Sequence, residues 1–111
     1  MPIQKSIPMR RIIAGNTLIT SQVCLVSDPE YITNGESVII TKIVSDCTVV
    51  LDNSNTDHVI IKALTNTKIK PITGLIDEEF NELNIEKGAS VELYYAFGTW
   101  YIVSSDGLKQ S

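Results

Sequence analysis

The sequence predicts an all-β protein: a small antiparallel β-sandwich or jelly-roll-like domain built from two related hairpins, with an extended N-terminal arm. Three observations predict it. About a third of the 111 residues are Val, Ile or Thr, and only four are Ala; stiff branched side chains suit a pleated strand, and the poverty in Ala leaves little helix propensity. Residues 90–97 alternate, with Val91, Leu93, Tyr95 and Phe97 on one side and Ser90, Glu92, Tyr94 and Ala96 on the other. That period of two marks a half-buried strand, and it predicts Tyr95 and Phe97 in the core. The chain also echoes itself. Asn34-Gly35-Glu36-Ser37-Val38-Ile39-Ile40 reappears 53 residues later as Lys87-Gly88-Ala89-Ser90-Val91-Glu92-Leu93. Slipped by one, Asp46-Cys47-Thr48-Val49-Val50-Leu51 matches Gly98-Thr99-Trp100-Tyr101-Ile102-Val103.

In chain order, Pro2 and Pro8 keep residues 1–9 out of helix, which makes them an extended arm; a single domain is expected over residues 10–111. Residues 10–14 and 17–26 read as strands broken at Gly15-Asn16, a strong turn pair. Asp28-Pro29-Glu30 is a loop and Asn34-Gly35 a second turn. Residues 36–44 and 47–51 form the first expected hairpin. The polar run 52–57 leads to a strongly apolar strand over 58–63, then to an alternating strand over 65–72 whose Pro71 places it at an edge or a strand end. The acidic stretch 77–83 is too short for a secure helix and reads as one turn or an irregular loop. Residues 90–97 and 99–103 form the closing hairpin, with Gly98 in the link. Residues 104–111 are a polar tail with Leu108 as its apolar anchor.

Net charge is −4, so attraction to nucleic acid is not expected. The charge is uneven: Lys5, Arg10 and Arg11 are three of the nine basic residues, leaving six against thirteen acidic ones in the rest of the chain. A basic, proline-marked arm on an acidic body suggests a docking segment. No run approaches the ~18 apolar residues of a membrane helix, and the start lacks the charge order of a signal peptide. Neither a nucleic acid nor a membrane is expected as partner.

The residues offer little to a reaction. His58 is the sole histidine; Asp57 precedes it, but strand neighbours point to opposite faces, so the pair is not set up as base and orienter. Gly88-Ala89-Ser90 lacks the second glycine of a nucleophile elbow. Asp77, Glu78, Glu79 and Glu82 lack the spacing of a calcium loop and read as a solvated acidic face. Cys24 and Cys47 fit no metal or redox motif; a disulfide is possible on paper, but both read as buried free thiols. No catalytic residue, metal ligand or cofactor is assigned. Tyr94 and Trp100 are candidates for a subunit interface or a ligand surface, with core packing the other reading, because aromatics are enriched in interface centres and in cores alike.

A turn carrying Gly-x-Ser-Val, a strand, a small loop, then Thr99-Trp100-Tyr101-Ile102-Val103 and the exit Ser104-Ser105-Asp106-Gly107-Leu108-Lys109 resembles the closing hairpin of virion structural proteins of tailed bacteriophages. Those proteins carry an Ile-Asp segment before the hairpin, here Ile76-Asp77. The resemblance spans roughly residues 34 to 109. It departs where the usual Asp-Gly is replaced by Asp77-Glu78 and along the stretch up to Leu83. The resemblance implies a β-sandwich without enzymatic activity, often a homotrimer. With no fibrous shaft and a short basic arm, the chain looks more like a capsid-decorating or auxiliary protein, such as those of crAss-like phages, than a tail fibre. Its implied partners are itself and the major capsid protein or another virion protein, its implied location the virion assembled in the host cytoplasm. Lys5, Arg10 and Arg11 are then the docking residues. The alternative is a fibre-tip module binding a receptor or glycan, with Tyr94 and Trp100 against the sugar.

Overall fold

The computed structural model describes residues 22–107 and the backbone of residues 11–14 and 17–20. All of its regular elements are strands: β1 (Arg11–Ala14), β2 (Thr17–Thr20), β3 (Val23–Val26), β4 (Glu30–Ile32), β5 (Val38–Thr41), β6 (Cys47–Leu51), β7 (His58–Ala63), β8 (Thr67–Pro71), β9 (Leu83–Ile85), β10 (Ser90–Ala96) and β11 (Thr99–Asp106). They form two sheets, one of order β1-β2-β3-β5-β7-β10-β11 and one of order β4-β6-β8-β9. The expected arm over residues 1–9, the turn at Gly15-Asn16 and the anchor Leu108 lie outside the described residues.

The middle of the chain winds between the sheets. β3, β5 and β7 run parallel in the large sheet, and β4, β6 and β8 run parallel in the small one. Each step from one sheet to the other is a loop, so β3 to β8 make a coil that adds one strand to each sheet per turn. After residues 72–82 the direction reverses: β9 pairs antiparallel with β8 and β10 antiparallel with β7. β1 and β2 extend β3 as an antiparallel meander.

The all-β class therefore holds, but the sheets are mixed rather than antiparallel, and only one of the two expected hairpins forms. β10 and β11 pair directly through Phe97 and Gly98, both at positive φ (54° and 79°), the backbone that a two-residue type I′ turn demands. β5 and β6 lie in different sheets. The five residues between them cross from one layer to the other, with no positive φ to reverse the chain in place. What the echoed segments share is the approach to a strand: Gly35 and Gly88 both stand at positive φ (91° and 98°) shortly before β5 and β10.

Both sheets close on one core. From the large sheet come Cys24, Val26, Ile39, Val59, Ile61, Val91, Leu93 and Trp100; from the small sheet come Cys47, Val49, Leu51, Ile69, Leu83 and Ile85. Each aliphatic side chain buried here contributes roughly 1.5–3 kcal/mol. One polar contact joins the layers inside this core: Thr41 on β5 meets Thr67 on β8 at 2.7 Å. The Thr67 hydroxyl donates to the Thr65 carbonyl at 2.8 Å, so Thr41 is the donor between the two. Near the Asn34-Gly35 turn, Glu36 is 7% exposed. It accepts the Tyr31 hydroxyl and, at 2.6 Å, the Asn34 N–H.

Candidate functional site

The features able to meet another molecule lie on the outer face of the large sheet and in a groove beside its β11 edge. On the outer face, the register sets His58 of β7 opposite Tyr94 of β10, and Tyr94 opposite Tyr101 of β11. The His58 and Tyr94 rings stack, 4.1 Å between centroids and 18° between planes. His58 Nε2 lies 2.6 Å from Glu92 Oε2, and the Ser104 hydroxyl donates to Glu92 Oε1 at 3.0 Å. These bonds, His58 first and Ser104 second, hold the Glu92 carboxyl below the ordinary value. Ser104 and His58 both engage the carboxylate rather than each other, so serine is not activated by imidazole as a nucleophile requires. The arrangement fixes the orientation of a surface carboxylate and leaves Tyr94 44% exposed.

Sequence reasoning did not find this cluster. It weighed His58 against Asp57, its neighbour, whereas the partner is Glu92, 34 positions away. The only signal available was that residues on equal-parity faces of adjacent strands meet, and that needs the strand order.

The groove has a volume of about 850 Å³ and is lined by the starts of β6 and β8, by β9, by the 77–82 loop and by β11. Asp46, Asp77, Glu79 and Glu82 give it acidic walls, with Lys68 among them; Lys68 pairs with Glu82 at 3.6 Å. Among the described residues no group of His, Cys, Asp or Glu has the geometry of a metal site. The expected single turn or loop at 77–83 is a tight reversal. Ile76 and Phe80 bond each other in both directions, at 2.8 and 2.9 Å. Asp77 and Glu78 stand at φ of 55° and 58°, an uncommon backbone for residues with side chains. The reversal is clamped to β11: Asp77 N–H donates to the Trp100 carbonyl at 2.7 Å, and Asp77 Oδ1 accepts the Ile102 N–H at 3.0 Å.

The sequence-assigned residues separate. Lys5 and Arg10 lie outside the described residues. Arg11 is the first residue of β1, in register with Thr20 of β2. Tyr94 is on the surface. Trp100 is not: it is fully buried, packed against Tyr95 at 5.3 Å between centroids. It alternates with Thr99 and Tyr101 and falls on the inward parity of β11, so as a surface for sugar on this chain it is withdrawn; its Nε1 has no hydrogen-bond partner among the described residues. Phe97 is the converse correction. Placed in the core by alternation, it sits in the turn and is 96% exposed, because the pleat ends at Ala96. Cys24 and Cys47 are buried and free. Burial, with the Asp28 charge second, pushes the Cys47 thiol up to about 11; burial also raises Cys24. Both stay protonated at neutral pH, the unreactive state.

No helix among the described residues is long and apolar enough to cross a membrane. No known family model matches this sequence, and comparison with curated proteins finds no relative.

Proposed function

We propose that the chain is a non-enzymatic virion structural protein of a tailed bacteriophage, a capsid-decorating or auxiliary protein that docks on the major capsid protein or another virion protein. Self-association belongs to this reading, for which the resemblance implies three copies, as does a sandwich-like packing of the two sheets. The observation that carries it is the meeting of the two halves of the phage-like pattern. Ile76-Asp77 and Thr99-Trp100-Tyr101-Ile102-Val103 are over twenty residues apart, yet Ile76 bridges Trp100 and Asp77 bonds both Trp100 and Ile102. Where the pattern has glycine after Asp, Glu78 keeps a left-handed backbone at φ 58°, the conformation glycine adopts without strain.

The test mixes the purified chain with undecorated particles of its phage and follows co-sedimentation. Binding that falls on deletion of residues 1–9 supports the docking arm. Unchanged binding removes Lys5 from the docking set, and absence of binding by the full chain rejects the decoration role.

A second reading, a glycan-binding fibre tip, is favoured by one observation: exposed Tyr94 stands beside a fixed carboxylate, a serine and Tyr101, the mix of ring and polar groups a sugar uses. Because Trp100 is buried, its fluorescence is a poor reporter of sugar. Glycan binding lost in Tyr94→Ala would support this reading, and absence of binding to a glycan panel would reject it.

A further inference from the structure

We propose that the outer face of the seven-stranded sheet is a self-association surface, on which a second copy of this chain packs across a two-fold axis with β5 over β5. The inference deepens the self-association part of the proposed function and does not depend on the virion.

In all-parallel sheets both faces are covered and the strands read as near-continuous apolar runs; the parallel middle of this mixed sheet has the same composition. β3, β5 and β7 are parallel and read Val-Cys-Leu-Val, Val-Ile-Ile-Thr and His-Val-Ile-Ile-Lys-Ala. Their inward residues are buried in the core, but the alternate set, Val23, Leu25, Val38, Ile40 and Ile60, keeps partial exposure on the other face, Val23 reaching 40%. The register gathers this set into adjoining positions: Val23 faces Val38, Val38 faces Ile60, and Leu25 faces Ile40. The patch has an apolar middle with the polar His58, Glu92, Tyr94 and Ser104 beside it and Lys62, opposite Ile40, at its end, where the ammonium turns away to the Gly88 carbonyl at 2.9 Å; an apolar centre with a polar rim is the anatomy of an interface.

Two features choose a second copy as the occupant. The first is area: seven strands about 4.8 Å apart present a face of roughly 600 Å² in projection, at the lower end of the ~600–1,000 Å² that each partner of a standard interface gives up. The second is position. β5 is the middle strand of the seven, so the apolar patch is centred on the sheet, and a two-fold axis along β5 lays patch on patch. A flat face packs on its own equivalent only across a two-fold, so this surface counts two copies where the phage resemblance implies three.

Sedimentation equilibrium of the full chain tests the proposal. The expected mass is twice the 12.2 kDa of one chain, falling to one chain in Val38→Lys with an unchanged circular dichroism spectrum. A monomer at high concentration overturns this surface and self-association together. A stable trimer overturns this surface alone and leaves the proposed function standing. A dimer that survives Val38→Lys places the contact elsewhere and overturns it too. Should Val38→Lys fail to fold, Val38→Cys treated with a bismaleimide spanning about 10 Å, the separation of stacked sheets, gives a cross-linked pair in high yield. Val44→Cys, on a fully exposed loop, gives none; equal yields overturn the proposal. Cys24 and Cys47 are buried and do not compete.

Discussion

Residues 34–51 and 87–106 begin from the same pattern, glycine followed by Ser-Val and a strand, and end in opposite connections. The later segment pairs with itself as β10 and β11; the earlier one divides β5 and β6 between two sheets. The linker is one cause. Phe97-Gly98 is a two-residue reversal in the left-handed region, whereas residues 42–46 have no such backbone and their length carries the chain across a layer. The other cause is two-sided apolarity. β10 alternates Glu92 and Tyr94 with Val91 and Leu93, so one of its faces tolerates water; β5 is Val38-Ile39-Ile40, which suits the middle of a parallel sheet. Similar strands therefore do not imply similar pairings: the link and the second face decide.

The strongest way to break this comparison is to give the first segment the second one's link. Replacing residues 42–46 by Asn-Gly favours a β5–β6 hairpin and removes β6 from the centre of the small sheet, together with buried Cys47, Val49 and Leu51. The expected outcome is loss of a cooperative melting transition by circular dichroism; a native-like transition would show that linker length does not select the layer.

Trp100→Ala probes the hairpin side. It empties a fully buried site next to Tyr95 and is expected to destabilise by about 3–5 kcal/mol in chemical denaturation. Trp100→Phe, which removes the unpartnered N–H, should cost far less than the alanine change.

Thr67→Val probes the coil side. It takes away the acceptor for Thr41 between the layers and leaves a buried hydroxyl without its partner, at a cost of about 1–3 kcal/mol. A neutral result would show that the two layers are held by apolar contact alone.

Phe97→Asn sharpens the account of the turn. The side chain is almost wholly exposed and its φ is 54°; asparagine accepts that backbone more readily. A rise of up to ~1 kcal/mol in unfolding free energy is expected.

Least visible near neutrality is the Cys47 thiol at the start of β6. Its native value, about 11, lies above the ordinary 9.0. The unfolded chain therefore releases this proton first, so Cys47 changes nothing below pH 9 and removes stability as pH rises from 9 towards 11. Thiolate absorbance should rise near pH 9 in denaturant and two units higher for Cys47 in the native protein.

Local chemistry was legible where one stretch of chain contains the whole cause. The all-β class follows from Val, Ile and Thr content; the closing hairpin from alternation and Gly98; the burial of Cys24 and Cys47 from their apolar neighbours. Alternation gave Val91 and Leu93 correctly and failed at Phe97, because a period of two does not announce where the pleat stops. The same rule put Tyr95 inward, as found; Trp100, open between core, interface and ligand surface on sequence alone, turned inward with it, because pairing with Tyr95 across the hairpin sets its face.

Sterics and solvation within a few residues thus set the kind of element, the turn residues and the parity of the alternating strands, β8 and β10; the fully apolar runs did not disclose which face is buried. Only the tertiary structure decided which strands are neighbours, that β3, β5 and β7 run parallel, and that His58 meets Glu92. Those outcomes compare pairings between residues far apart in the chain, and the energies that rank them reside in the contacts between layers rather than in any single segment.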